Sequence, residues 1–160
     1  MTANITDGPE DDGRFAREVI DTGHYLVLAT ADAEGNPWPT PVWYARDARE
    51  FVWVSRPEAR HSRNIEVRPR VGLTIFATPV PVEGRTHAVY ADATAAEVPG
   101  TDRDRCLAVF DRRARAEGLG SWTVDRVVAP ANLRLYRARV TQLFVLHPDR
   151  DVRRAVAIDL

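Results

Sequence analysis

The chain reads as a mainly β, α+β domain: a six- to seven-stranded antiparallel barrel, closed or partly closed, with flanking helices. Two observations predict it. Short runs rich in Val, Ile, Leu, Thr, Tyr and Trp recur along the chain, separated by polar or glycine- and proline-containing turns. Only a few segments carry apolar residues at helical spacing, and no internal repeat or linker divides the 160 residues.

Taken in order, residues 1–12 ("MTANITDGPEDD") are acidic and read as a disordered tail, which leaves 13–160 as a single domain. "GRFAREVIDTG" places Phe15, Val19 and Ile20 on one side of a helix, with Gly23 as a stop. "HYLVLATA", "WPTPVWYA" and "EFVWVS", joined by "DAEGNP" and "RDAR", predict a three-stranded meander. Pro39 and Pro41 withhold N–H groups from the second strand, so one side of it lacks a neighbour, either as a protected edge or where a ligand replaces a strand. In "SRPEARHSRN", Ser55 and Glu58 have capping-box spacing around Pro57, opening a short helix.

"RVGLTIFA" and "RTHAVYADATAAEV" are the next strands, the second able to bend at its small residues. Residues 102–117 form an amphipathic helix through Leu107, Val109, Phe110 and Ala114, and "SWTVDRVVAP" a short helix or turn. "NLRLYRARVTQLFVL" is a long strand with Tyr136, Ala138, Val140 and Phe144 on its apolar face. Arg137 and Arg139 fall on the other face, where solvent exposure accounts for them and a pocket or interface is the alternative. "RRAVAIDL" adds a short last strand.

Composition narrows the function classes. The hydrophobic fraction of 44% and charged fraction of 28% are those of a globular protein. With a net charge of −1 there is no global field for nucleic acid or an anionic membrane. No apolar run reaches the ~18 residues of a membrane span, and the start lacks the apolar core of a signal peptide. The single cysteine, Cys106, sits in the apolar stripe of its helix and fits a reducing, cytoplasmic compartment. His24, His61, His87 and His147 lack helical metal-site spacing, so no metal site is expected. Phosphate-loop, dinucleotide and nucleophile-elbow motifs are also absent.

One stretch stands out. From Arg56 to Arg70 five arginines face two glutamates, at the junction of a strand and a helix whose first N–H groups are unpaired. Arg60, His61, Ser62 and Arg63 would give such a point up to four side-chain donors for an anion. The plainer alternative is a solvated helix face, because every basic residue of this chain other than histidine is arginine. Among the tryptophans, Trp43 beside Tyr44 is best placed to stack on a flat ring, with core packing as the alternative.

The ordered series from Tyr25 to Phe76, a "T…G.P…P" hairpin followed by a strand, a basic helix and "P.V.L", resembles the pyridoxamine 5′-phosphate oxidase-like split barrels. The resemblance implies a split β-barrel that binds a flavin, usually FMN, at the interface of a homodimer. By position, Pro41, Val42, Trp43 and Tyr44 would lie along the isoalloxazine ring, while Ser55, Arg60 and His61 would hold the phosphate with Arg63 as an added cation. Histidine stands at 61 where the family commonly has lysine, which makes phosphate affinity pH-dependent. Ala88, or His87, stands about where true oxidases place a flavin-contacting glutamine, and the C-terminal arginine-and-proline signature is missing. The resemblance therefore implies an FMN-dependent oxidoreductase acting on a small molecule other than pyridoxamine phosphate, with no identifiable catalytic acid or base. Two alternatives keep the fold: the deazaflavin F420 as cofactor, or a non-catalytic protein that binds flavin or haem.

Overall fold

The computed structural model describes residues 9–77, 87–147 and 151–157. Strands β1 (Tyr25–Ala31) and β2 (Pro37–Trp43) form a hairpin whose turn is fixed by Asp32, which accepts from the Asn36 backbone at 2.8 Å and side chain at 3.0 Å. Asparagine bonding of this kind and Gly35 at φ 90° are what a tight turn needs. There follow β3 (Ala45–Asp47), β4 (Glu50–Ser55), β5 (Arg70–Phe76), β6 (Ala88–Glu97), β7 (Arg134–Leu146) and β8 (Arg153–Val156). Helix α1 (Pro9–Thr22) precedes β1, α2 (Arg60–Val67) joins β4 to β5, and α3 (Arg103–Ala116) lies between β6 and β7.

The strands pair antiparallel in the order β2-β1-β5-β6-β7-β4-β3, with β8 also on β7. Laid flat, the six steps of this path would put its ends about 29 Å apart. Only Tyr44 separates the end of β2 from the start of β3, so the two are at most about 7.6 Å apart along the chain. The sheet must therefore curl until its end strands meet at a corner. It is a split barrel, as the sequence predicts.

The curled interior takes Leu26, Leu28, Leu73, Ile75, Val89 and Val145, and α1 plugs it with Ala16, Val19 and Ile20. A second cluster, outside the barrel wall, packs α3 through Cys106, Leu107, Val109 and Phe110 against Val52 and Leu135. Cys106 is fully buried, as its place in the apolar stripe implies.

Four expectations need correction. Residues 9–12 are not a tail: α1 begins at Pro9, and Asp12 is buried in an ion pair 2.6 Å from Arg154. Residues 1–8 of the expected tail, like 85–86 of the expected fifth strand, lie outside the described residues. The meander breaks after two strands, because β4 pairs with β7 and β3 and leaves β2 without a second neighbour among the described strands. Thr141 is an extra residue in β7, since Asp92 pairs with Gln142 while Ala93 pairs with Val140. Its hydroxyl donates to the Asp92 carbonyl at 3.0 Å. That bulge reverses the facing: Tyr136, Ala138 and Val140 point inward before it, Leu143 and Val145 after it.

Arg137 is the fourth. It is buried, not solvated, with its guanidinium 2.7 Å from Asp102 and 3.5 Å from Glu50. Glu50 also accepts from Arg105 and Arg139, each at 2.6 Å. Burial alone would raise the Glu50 pKa, but these arginines outweigh it and hold the carboxyl below its ordinary value. Removing the carboxylate leaves the buried Arg137 guanidinium with Asp102 and takes away the acceptor that Arg105 and Arg139 share. Glu50→Ala is expected to cost about 2 kcal/mol in urea unfolding, the range of hydrogen bonds to charged groups. Arg139→Ala, whose side chain is 58% exposed, should cost under about 1 kcal/mol. Equal midpoint shifts for the two would show that the buried network carries no special weight.

Candidate functional site

The β3–β4 ladder ends at Ala45 opposite Val52. Continued through the Tyr44 corner, it would set Trp43 against Val54 and Pro41 against Arg56. Instead the strands part. The gap is an open groove of about 600 Å³ with Thr40, Pro41, Val42 and Trp43 on one side and Val54 and Ser55 on the other. Its size falls within the range of small-molecule and cofactor sites.

Proline explains why the seam stays open. Backbone bonds flank the β1–β2 ladder at even positions of β2, with Asp32 N–H donating to the Asn36 carbonyl at 3.2 Å and Tyr44 N–H to the His24 carbonyl at 3.4 Å. Even residues of β2 therefore face β1, and odd ones face the gap. Pro37, Pro39 and Pro41 occupy the odd positions, so the free edge presents carbonyls and no N–H until Trp43. Such an edge cannot zip against β4.

Tyr44 does not lie in the groove, contrary to expectation. It is fully buried at the corner, donates to the Ile20 carbonyl at 2.6 Å, and meets Phe51 edge-on at 5.2 Å. Burial pushes its pKa up to about 12, so it is a neutral structural phenol.

The third wall comes from α3 and the segment after it, through Phe110, Leu119 and Trp122. Trp43 meets Phe110 edge-on at 5.0 Å, and Phe110 meets Trp122 likewise at 5.1 Å. The Trp43 indole N–H donates to Glu117 Oε2 at 2.9 Å, while Arg113 Nε donates to Oε1 at 2.8 Å. His24 Nδ1 lies 3.2 Å from the same Oε2. Burial pushes the Glu117 pKa up, but the Arg113 and Trp43 hydrogen bonds overcome it and keep the carboxyl below its ordinary range. Sequence reasoning ranked Trp43 first among four tryptophans able to stack on a flat ring, Trp122 being another, but did not assemble this wall: Phe110 read as the core stripe of its helix, and Leu119 carried no signal.

At the groove's end, Ser55 Oγ and His61 Nε2 are 2.7 Å apart. Burial lowers the His61 pKa below its ordinary value of 6.5, so the ring is neutral near pH 7. The expected capping box is not formed. Ser55 is engaged by His61, α2 starts one turn later with Ala59 as its N-cap, and no side chain caps it. The N–H groups of Arg60, His61 and Ser62 precede the helix's first hydrogen bond, Arg63 N–H to the Ala59 carbonyl at 3.1 Å, and are the donors a helix start offers an anion.

The arginines are placed differently from the sequence-based expectation. Arg60 lies over the Trp38 ring, 4.4 Å from its centroid, and 3.8 Å from Asp32. Arg63 is exposed, and neither arginine is among the described residues lining the groove. Asn64 holds α2 to the hairpin by donating to Thr30 at 2.9 Å. Of the eight expected positions, Pro41, Val42, Trp43, Ser55 and His61 come together at the groove. No cluster of potential metal ligands occurs among the described residues.

Comparison with known proteins gives this geometry a family. The model described as pyridoxamine 5′-phosphate oxidase matches residues 14–146. A pyridoxine/pyridoxamine 5′-phosphate oxidase of Rubrobacter xylanophilus is 32% identical over 76% of this chain, which spans 54% of that relative's length. Three solved structures share the fold. The haem storage protein HutZ of Vibrio cholerae has a TM-score of 0.63 and 24% identity, covering 81% of this chain and 90% of its own. An FAD-binding protein of Mesorhizobium loti has a TM-score of 0.59 and 17% identity, covering 80% and 88%. An F420 reductase has a TM-score of 0.53 and 19% identity, covering 79% and 94%. A family model that spans most of the sequence, and a relative 32% identical over three quarters of it, lead to one conclusion: the chain belongs to the pyridoxamine 5′-phosphate oxidase family.

Proposed function

We propose that the groove between β2 and β4 holds FMN and that the protein is a flavin-dependent oxidoreductase acting on a small molecule. The observation that carries this reading is the open seam itself. It offers a flat ligand an aromatic wall on one side and unpaired backbone groups on the other. The Pro41 carbonyl and Trp43 N–H, which face the gap, complement the alternating donors and acceptors along the imide edge of a flavin. Bound there, the flavin would supply hydride or electron transfer. The chain would orient the ring and exclude water from one face. The described lining residues include no carboxylate, lysine or cysteine, and His61 is neutral and engaged by Ser55, so proton transfer would fall to substrate or solvent.

The tail of the cofactor would run to Ser55 and the first N–H groups of α2. Neutral His61 is a weak anion partner, so Arg60 and Arg63 would supply the positive charge, Arg60 by exchanging its place over Trp38 for the phosphate. Tyr25 is 60% exposed and Leu119 56% exposed at the groove mouth, and a second copy of the chain would cover them, making the working unit a homodimer. Pyridoxamine phosphate is not the proposed substrate: Ala88, about where true oxidases carry a flavin-contacting glutamine, is buried opposite Phe76.

The deazaflavin F420 is the second reading, favoured by the arginines at 56, 60, 63, 68 and 70, which suit a longer anionic tail. Haem ranks below both, because His61, the one lining imidazole, already engages Ser55.

Absorption spectra after separate addition of FMN, F420 and haem, followed by gel filtration, test the assignment. FMN should remain with the protein; retention of F420 or haem alone would transfer the site to that ligand, and retention of none would end the reading. Ser55→Ala should weaken FMN by about tenfold or more and riboflavin far less, since hydrogen bonds to a charged group are the stronger ones. Equal losses would move the phosphate elsewhere.

His61 adds a pH dependence of stability. Its folded pKa is depressed, so between that value and 6.5 the unfolded chain binds a proton the folded chain refuses. Its contribution is complete above pH 6.5 and is lost as the pH falls through that window. His61→Gln, which keeps a polar atom near Ser55, should flatten this acid-side slope in urea titrations at stepped pH. An unchanged slope would show that His61 is protonated as easily folded as unfolded.

A further inference from the structure

A carboxylate at the end of α3 is electrostatically misplaced. Helix C-termini are the negative end of the macrodipole and favour cations. Yet Glu117 is the C-cap of α3, followed by Gly118 at φ 72°. Gly118 N–H donates to the Arg115 carbonyl at 3.0 Å and Leu119 N–H to the Ala114 carbonyl at 2.8 Å, a Schellman closure that fixes the backbone on both sides of the glycine. The helix end is thus complete without the Glu117 side chain. That side chain reaches across to Trp43 of β2, the single groove-facing tryptophan of the seam strand, while Leu119 two residues on borders the same groove.

From this geometry we infer that Glu117 is a positioning residue for the ring-binding site, holding the Trp43 indole in one orientation and so setting the groove's affinity for a flat polycyclic ligand. The inference rests on the proposed flavin-type function. Four contacts define the clamp: the indole N–H on Oε2, His24 Nδ1 beside the same oxygen, Arg113 on Oε1, and Phe110 in T-shaped contact with the indole. Arg113 is itself tied down, donating to the Gly23 carbonyl at 2.5 Å and lying 4.8 Å from the Tyr44 ring centroid. The carboxylate is therefore anchored from behind and cannot follow the indole if it turns. Free to rotate, the indole would have several orientations, and a stacking ligand would have to select one, which lowers affinity in proportion to the competent fraction. The buried Trp53 supplies the contrast: its indole N–H has no partner among the described residues, it stacks on Tyr136, and it lies in the core away from the groove.

A double-mutant cycle tests the role. Glu117→Ala should weaken FMN and riboflavin by the same factor, about tenfold, because one hydrogen bond to a charged group is lost and the phosphate is untouched. In a Trp43→Phe background, where there is no indole N–H, Glu117→Ala should change neither affinity. The Trp43 indole N–H resonance, assigned by Trp43→Phe, should shift in ligand-free Glu117→Ala protein. Equal losses in both backgrounds, or an unmoved resonance, would overturn the inference by showing that Glu117 acts through the fold. A resonance that shifts while ring affinity holds would overturn the role in binding and leave the flavin function standing. A wild-type protein that takes up no FMN, riboflavin or F420 would instead defeat the proposed function, and the positioning role with it.

Discussion

The corner at Tyr44 is the constraint on which the rest of the structure depends. A single residue joins the two ends of a seven-strand path, and its phenol is what pins that joint to the interior. The space for it comes from Gly23: a Cβ there would meet the Tyr44 hydroxyl and Ile75 Cγ2 at 2.8 Å, closer than side-chain carbons approach. Without the pinned corner the sheet has no reason to curl so tightly. With it, β2 and β3 must diverge from a common point, and a groove opens where they do. The barrel's split and the candidate site are one feature.

Energetically, the two faces of the seam are made in different ways. The β2 edge is protected by omission, since three prolines leave a wandering strand no donors to pair with before Trp43. The α3 wall is built by addition, from edge-to-face aromatic contacts and the Glu117 carboxylate. Neither device needs a buried unpaired charge inside the groove, and His61 stays neutral because burial makes it so. The strongly charged network of Glu50, Arg105, Arg137 and Asp102 sits behind the barrel wall, where it fixes β4 and β7 to the start of α3.

Fold class was legible in the sequence because it depends on local pattern: alternation, turn residues and two amphipathic helices. Pairing was less so. Within "WPTPVWYARDAREFVWVS" Pro39 and Pro41 mark one side of β2 as lacking a neighbour, but nothing states that the missing neighbour is β4, because that depends on Tyr44 finding a pocket that α1 and Gly23 create from a distance. The reversal of facing in β7 was hidden for a similar reason, as one extra residue, Thr141, shifts the phase without altering composition. Pro41, Trp43, Ser55 and His61 could be named from the order of elements, and Trp122 only as one of four tryptophans able to stack on a ring; Phe110 could not, because an aromatic residue beside a groove and one inside a core have the same spacing.

The arginines that drew attention in the sequence bear on a different question from the one they raised. Arg60 and Arg68 hold α2 to the β1–β2 hairpin, the first through Trp38 and Asp32, the second by donating to the Ala33 carbonyl at 2.6 Å. A chain without lysine must use guanidinium for such clasps, and clasps of this kind are cheap to exchange: the Arg60–Asp32 pair is half exposed and worth little in water. An entering phosphate, doubly charged, competes well against one carboxylate at 3.8 Å. The bracing of the hairpin and the proposed phosphate role of Arg60 are therefore compatible in sequence: the guanidinium that braces the hairpin in this structure would turn to the anion if the groove were filled.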